Sequence, residues 1–221
     1  MEAWAIVVAA GSGARFGAAK QFELIPAPGT RAGVERIVDR SVRAAVAACS
    51  GVVVVVPAGF EWDGPTVDAV VEGGATRSIS VRNGLRAVPE SAELIAVHDA
   101  ARPMASPALW RAVLDAVHGD VVGAIPGLAV ADTIKRMADG RVVGTVERVD
   151  LVAVQTPQVF RADALRQVHA AGGDATDDAA LIEADGGVIA VVPGEPTNVK
   201  VTHRADLLFV AAAIDSEGAS S

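Results

Sequence analysis

Two apolar runs frame the chain. Trp4 to Val8 and Val52 to Val56 are continuous and rich in β-branched residues, the pattern of parallel strands covered on both faces at the centre of a sheet. Between them Val34, Ile37, Val38, Val42, Ala45 and Cys49 recur near helical spacing, which predicts a crossover helix with one buried face and makes the first unit βαβ. The rhythm repeats with Val67 to Val71 as a strand and Ser78 to Val88 as a helix directing Val81, Leu85 and Val88 inward. Leu94 to His98 then reads as a strand and Ser106 to Val117 as a helix. A doubly wound, mostly parallel α/β sheet follows. The segment between Val56 and Val67 is too short for a full crossover helix.

From Ala131 to Gln155 the rhythm breaks. Lys135-Arg136, Asp139-Gly140-Arg141 and Thr145 to Asp150 read as short strands joined by polar turns with no crossover helix, so a projecting β arm is expected at about 131–155. Exposed strand edges are usually paired or covered, which gives a physical motive for a homodimer formed through this arm. Beyond Gln155 the pattern predicts helices over Ala162 to Ala171 and Asp178 to Ala184, and a strand over Val188 to Val192. A short extended piece at Asn198 to Val201, a last helix from Arg204 to Ile214 and a disordered tail from Ser216 to Ser221 complete the reading.

Composition narrows the function classes. The 221 residues show no internal break, so a single domain over 1–221 is expected. The formal net charge of −8 argues against a nucleic-acid or anionic-membrane partner, since those are held by clustered cations. A phosphorylated small molecule stays open if a few cations converge. Cys49 is the only cysteine, which excludes an internal disulfide and a one-chain metal–thiolate cluster and reads as a small buried helix residue. The apolar stretch from Trp4 to Ala10 is too short for a signal peptide or membrane span, so a cytoplasmic protein is expected.

In an open parallel sheet, ligands sit outside the carboxyl ends of the strands. Ala9-Ala10-Gly11-Ser12-Gly13-Ala14-Arg15 follows the first strand. Gly11 and Gly13 let backbone N–H groups approach an anion, and Arg15 and Lys20 add positive charge, as a phosphate cradle requires. The dinucleotide fingerprint G-x-G-x-x-G competes, but Gly17 comes one position late. A plain tight turn also remains open. Gly73-Gly74, followed by Arg77 and Ser80, lies after the third strand, where a simple turn capped by Ser78 is the alternative. His98-Asp99-Ala100-Ala101-Arg102-Pro103 follows the fourth. Asp99 there can hold Mg²⁺ or a sugar hydroxyl, and Arg102 can pair with phosphate or with Asp99 itself.

With Asp132-Thr133-Ile134-Lys135-Arg136, Gln155-Thr156-Pro157-Gln158, Thr176-Asp177-Asp178 and Lys200-Val201-Thr202, these motifs resemble, in order and over nearly the whole chain, the 2-C-methyl-D-erythritol 4-phosphate cytidylyltransferases of the non-mevalonate isoprenoid pathway. The resemblance implies a Rossmann-like fold of nucleotidyltransferase type and transfer of CMP from CTP to 2-C-methyl-D-erythritol 4-phosphate, releasing pyrophosphate and forming 4-diphosphocytidyl-2-C-methyl-D-erythritol. It implies that Arg15 and Lys20 stabilise charge on the triphosphate, and that Arg148 and Lys200 place the acceptor phosphate. Ala9, Ala10, Gly11, Ser12, Gly13, Gly74 and Ser80 match nucleotide-binding positions. Asp99, Arg102 and Thr133 match substrate contacts, some of them made across a dimer interface, with Asp99 also on the nucleotide side. Mg²⁺, or another divalent cation held mostly by substrate phosphates, is the implied cofactor.

Two residues depart from the family pattern. Ala19 stands where relatives usually have proline, which alters loop stiffness, and Ala75 stands where aspartate is frequent, which removes a ribose or base contact. Two rival readings are a cytidylyltransferase for another polyol phosphate, such as ribitol 5-phosphate, and a catalytically silent nucleotide-binding regulator. Cations matching both phosphate groups, at Arg15, Lys20, Arg148 and Lys200, weigh against the second.

Overall fold

The structure, a computed structural model, describes residues 1–11, 13, 16, 17 and 19–219, the side chains of 217–219 excepted. The chain begins with β1 (Ala3–Val8), a hairpin of β2 (Leu24–Pro26) and β3 (Val34–Arg36), α1 (Ile37–Ala48), β4 (Gly51–Val56), β5 (Ala69–Glu72) and α2 (Arg77–Leu85). It continues with β6 (Leu94–Asp99), α3 (Pro107–Asp115), β7 (Val121–Ala129), β8 (Ile134–Ala138), β9 (Arg141–Val146), β10 (Val152–Val154) and β11 (Gln158–Arg161). Helices α4 (Ala162–Ala170) and α5 (Asp178–Ala184), strand β12 (Val188–Pro193) and helix α6 (Arg204–Ala219) close it.

Eight strands form one sheet in the order β10-β7-β11-β6-β1-β4-β5, with β12 added on β7. Strands β6, β1, β4 and β5 are parallel, so their carboxyl ends share one edge. Strand β11 runs antiparallel between β6 and β7. Because successive side chains of a strand point to opposite faces, the apolar runs feed two cores. Ala5, Val7, Val52, Val54 and Ala96 pack under α1 and α3 with Leu109 and Trp110. Ile6, Val53, Val55, Ile95 and Val97 pack under α2, α4 and α5 with Val81, Leu165 and Ile182. A third cluster joins Phe16, Ile25 and Ile37 to Val201, Val210 and Ile214 beneath α6.

Several details correct the sequence reading. Val34 belongs to β3, not to the crossover helix, because its backbone pairs with Pro26; its three-residue spacing from Ile37 mimics a helical face. Strands β2, β7 and β11 have no counterpart in the pattern read from sequence. The final helix runs on through Ala219, so residues 216–219 are helical. Cys49 caps the end of α1, partly buried, and burial pushes its thiol up to about 12, so it stays protonated. Among the described residues, strands β8 and β9 pair only with each other, in a hairpin that exposes Met137, Val142 and Val143. Among the described residues no helix is long and apolar enough to cross a membrane.

Candidate active site

Three segments leave the shared carboxyl edge of the sheet together: the loop after β1, the glycine pair after β5, and the turn after β6. They enclose a cavity of about 500 Å³. Gly13 has φ of 64°, a conformation that L side chains avoid, and its carbonyl accepts from the N–H groups of Phe16 and Gly17, closing the loop. The loop is braced from behind by Gln21, whose buried amide donates to the carbonyls of Ala9 (2.6 Å) and Gly11 (3.0 Å). In a trans peptide N–H and C=O point in opposite directions, so a carbonyl turned to Gln21 turns the next N–H, that of Ala10, the other way. Phe22, next in the chain, stacks on Phe60 at 4.2 Å and anchors the short helix carrying Lys20.

Opposite the loop, the hydroxyl of Ser80 accepts from Gly74 N (3.1 Å) and donates to the Thr76 carbonyl (3.0 Å), fixing the glycine turn. The cap of α2 is Thr76, not Ser78: its hydroxyl accepts from Ile79 N, since the extended backbone at Thr76 puts that oxygen over the first turn.

The turn after β6 holds the charge. Asp99, nearly buried, accepts from Lys200 Nζ at 2.5 Å and from Arg77 Nε at 3.4 Å. Arg77 also donates to the buried Asp178 at 2.7 Å. Burial would raise the Asp99 carboxyl, but the Arg77 charge, the Lys200 charge and hydrogen bond, and the Arg102 charge together hold it well below the usual carboxylate range. Arg102 forms no side-chain pair with Asp99; its guanidinium donates to the carbonyls of Asn198 (2.8 Å) and Val154 (3.2 Å). His98 is fully buried, with Nε2 facing the Arg102 carbonyl and Nδ1 facing the Thr156 hydroxyl, both at 3.1 Å. A carbonyl only accepts, so Nε2 carries the proton. Burial lowers the His98 pKa to about 4, which keeps the ring neutral, and Thr156 in turn accepts from Asp99 N.

A second cavity, of about 200 Å³, lies on the other side of this charge cluster and is lined by Arg102, Gln155, Thr156 and Gln158. Arg77, Asp99 and Lys200 line both cavities. Among the described residues no group of three or more His, Cys, Asp or Glu could hold a metal ion.

The family model for IspD, 2-C-methyl-D-erythritol 4-phosphate cytidylyltransferase, matches residues 3–216. The chain belongs to this family. A 2-C-methyl-D-erythritol 4-phosphate cytidylyltransferase from Saccharopolyspora erythraea is 41% identical over 232 residues, 97% of this chain and 100% of that one. The bifunctional enzyme IspD/IspF of Nitratidesulfovibrio vulgaris is 40% identical over 238 residues, but the chain spans only 58% of its length. The crystal structure of 2-C-methyl-D-erythritol 4-phosphate cytidylyltransferase from Thermus thermophilus superposes with a TM-score of 0.80 at 32% identity, over 95% of this chain and 98% of that one.

In this IspD-family chain, the site residues expected from sequence divide into three groups. Ala9, Ala10, Gly11, Gly13, Lys20, Gly74, Ser80, Asp99 and Lys200 line the larger cavity, and Arg102 the smaller. Ser12 and Arg15 lie outside the described residues. Thr133 and Arg148 are exposed and line neither cavity; Arg148 donates instead to the Ala131 carbonyl. Sequence reasoning gave no role to Gln21 or Asp178. A glutamine beside Lys20 looks like any surface glutamine, and Asp178 meets Arg77 from 101 positions away.

Proposed function

We propose that this chain transfers the cytidylyl group of CTP to 2-C-methyl-D-erythritol 4-phosphate, releasing pyrophosphate and forming 4-diphosphocytidyl-2-C-methyl-D-erythritol. The observation that carries the reading is the pair of cavities with one shared charged wall. The larger cavity, with its glycine-rich loop and Lys20, suits the nucleoside triphosphate. The smaller, with Arg102 and Lys200, suits a phosphorylated polyol.

The acceptor phosphate is already ionised near neutral pH. One of its oxygens attacks the α-phosphorus, and the bond to the β-phosphate breaks to release pyrophosphate. No proton must be moved, so the buried neutral His98 is left to hold Thr156 and the Asp99 backbone in place. The barrier is electrostatic, because a dianion approaches a tetra-anion, and preorganised cations lower it. Lys20 and Arg15 take the charge on the triphosphate. Lys200, fixed by Asp99, and Arg102 orient the acceptor. Asp99, the carboxylate lining the larger cavity, would hold a magnesium ion together with the substrate phosphates, and the ion would supply charge neutralisation there while needing few protein ligands.

Thr133 and Arg148 stand away from both cavities of their own chain, and the β8–β9 hairpin beside them is largely exposed. This supports a homodimer in which each arm brings these two residues to its partner's acceptor cavity. The substrates are ionic metabolites, in keeping with work in the cytoplasm.

A panel of polyol phosphates assayed with CTP and Mg²⁺ for pyrophosphate release tests the proposal. Turnover with methylerythritol phosphate and not with ribitol 5-phosphate supports it. Preference for ribitol 5-phosphate overturns the acceptor, and tight CTP binding without turnover for any acceptor overturns the enzyme.

A further inference from the structure

The Thr176-Asp177-Asp178 motif is unexplained by the reaction, yet it ends in the most deeply buried carboxylate near the charged wall. Asp178 is 1% exposed and lies in the first turn of α5, whose N-cap Asp177 accepts from Ala180 N. One oxygen of Asp178 faces His169 Nε2 at 2.9 Å, and the other accepts from Arg77 Nη1 at 2.7 Å. Arg77 thus stands between two carboxylates and sits closer to Asp178 than to Asp99, where its Nε is 3.4 Å away. The second oxygen of Asp99 is left to Lys200.

We infer that Asp178 is a positioning residue that holds Arg77 off Asp99, so that Asp99 remains the partner of Lys200. This deepens the proposed function by assigning the residue that sets the Lys200 ammonium. Both carboxylates are poorly solvated. Two cations, Arg77 and Lys200, hydrogen-bond two carboxylates, Asp99 and Asp178, while the nearby Arg102 spends its hydrogen bonds on the Asn198 and Val154 carbonyls. When one carboxylate is neutralised, both cations compete for the other. A guanidinium can fork onto a carboxylate through two N–H groups, whereas an ammonium offers a point charge. Arg77 has a buried Nη2 with no hydrogen-bond partner among the described residues, so it can turn onto Asp99 and displace Lys200. His169 packs behind Asp178 and keeps it facing Arg77.

The chain has three lysines, Lys20, Lys135 and Lys200, which makes the inference readable without any substrate. Ligand-free protein is acylated briefly with acetic anhydride, and each lysine is quantified by peptide mass spectrometry with Lys135 on the exposed hairpin as reference. Lys200 is 39% exposed and open to the reagent. The Asp178→Asn variant is expected to label Lys200 several-fold faster relative to Lys135 than the parent does. In the Arg77→Gln background, Asp178→Asn is expected to change nothing further, since the competitor is gone. In turnover, Asp178→Asn should raise KM for the polyol phosphate more than KM for CTP. An unchanged Lys200 to Lys135 ratio overturns the inference, as do equal rises in both KM values with a lowered Tm, which mark a purely structural role. Should Asp178→Asn fail to fold, Arg77→Gln alone decides: Lys200 labelled no faster than in the parent agrees, and faster labelling contradicts. Absence of turnover by the parent would sink the proposed function, while the labelling pattern would still judge Asp178.

Discussion

Gly73 is the place where the glycine-rich loop after β1 and the β5–α2 turn press against each other. A methyl group added there would lie 2.1 Å from Ala10 Cβ and 3.0 Å from Ser80 Oγ. Carbon atoms rest at about 3.5–4.0 Å, so Gly73→Ala forces the loop and the turn apart by roughly 1.5 Å. Neither side can rotate away, since both clashing carbons are β-carbons fixed to backbone. Overpacking of this kind costs about 1–3 kcal/mol, which for a chain of this size lowers Tm by roughly 2–4 °C per kcal/mol. The larger effect falls on chemistry, because displacement of a binding group by about 1 Å can cost on the order of 10² in rate. With the polyol phosphate saturating and CTP varied, pyrophosphate release by Gly73→Ala should show kcat/KM for CTP reduced on that order while the protein stays folded at 25 °C. A Gly73→Ala protein with kcat/KM within about threefold of the parent, far short of the cost of a 1 Å displacement, would refute the claim that this contact positions the nucleotide.

Other outcomes follow from the same geometry. Lys20→Ala should fold normally and lose on the order of 10²–10³ in kcat, as removal of a preorganised donor does; near-normal turnover rejects its role. Gln21→Ala leaves the Ala9 and Gly11 carbonyls without their buried donor, at about 1–3 kcal/mol, and should raise KM for CTP above that for the acceptor; equal changes in the two would argue against the brace. Stability should fall with acid: His98 drops from 6.5 to about 4 on folding, so its contribution is present above 6.5, declines toward pH 4, and amounts to up to ~3 kcal/mol. Asp99, depressed by its cations, adds a further loss as pH falls below its ordinary value of 3.8. Urea midpoints at pH 7 and 4.5 check the first window, and a His98→Asn protein should lose less between them. Chelation with EDTA should stop turnover and leave the circular dichroism unchanged, with Mg²⁺ restoring activity; full activity in EDTA contradicts the proposed metal.

The parts of the fold legible in sequence were those where one physical cause dominates. Val52 to Val56 is buried on both faces, so nothing interrupts its apolar run. Strand β7 carries Gly123, Pro126 and Gly127, which erase the strand signal locally, although the sheet uses the two glycines to pack Phe160, Val152 and Val191 closely. Strand β11 is only four residues long and begins with a glutamine whose amide reaches Asp177. At the site, the glycine-rich loop and the run from His98 to Pro103 were visible because their chemistry is contiguous in the chain. The Asp99–Lys200 and Arg77–Asp178 pairs each span 101 positions, and only the crossing of the sheet brings them together. Gln21 and Thr76 act on backbone atoms, which leave no mark on side-chain pattern.

Phosphorus NMR of CTP, 2-C-methyl-D-erythritol 4-phosphate, Mg²⁺ and the protein follows the proposed transfer atom by atom. The triphosphate and phosphomonoester signals should decline together as a diphosphate diester and free pyrophosphate appear in equal amounts. Orthophosphate or CMP accumulating with the phosphomonoester untouched would contradict it.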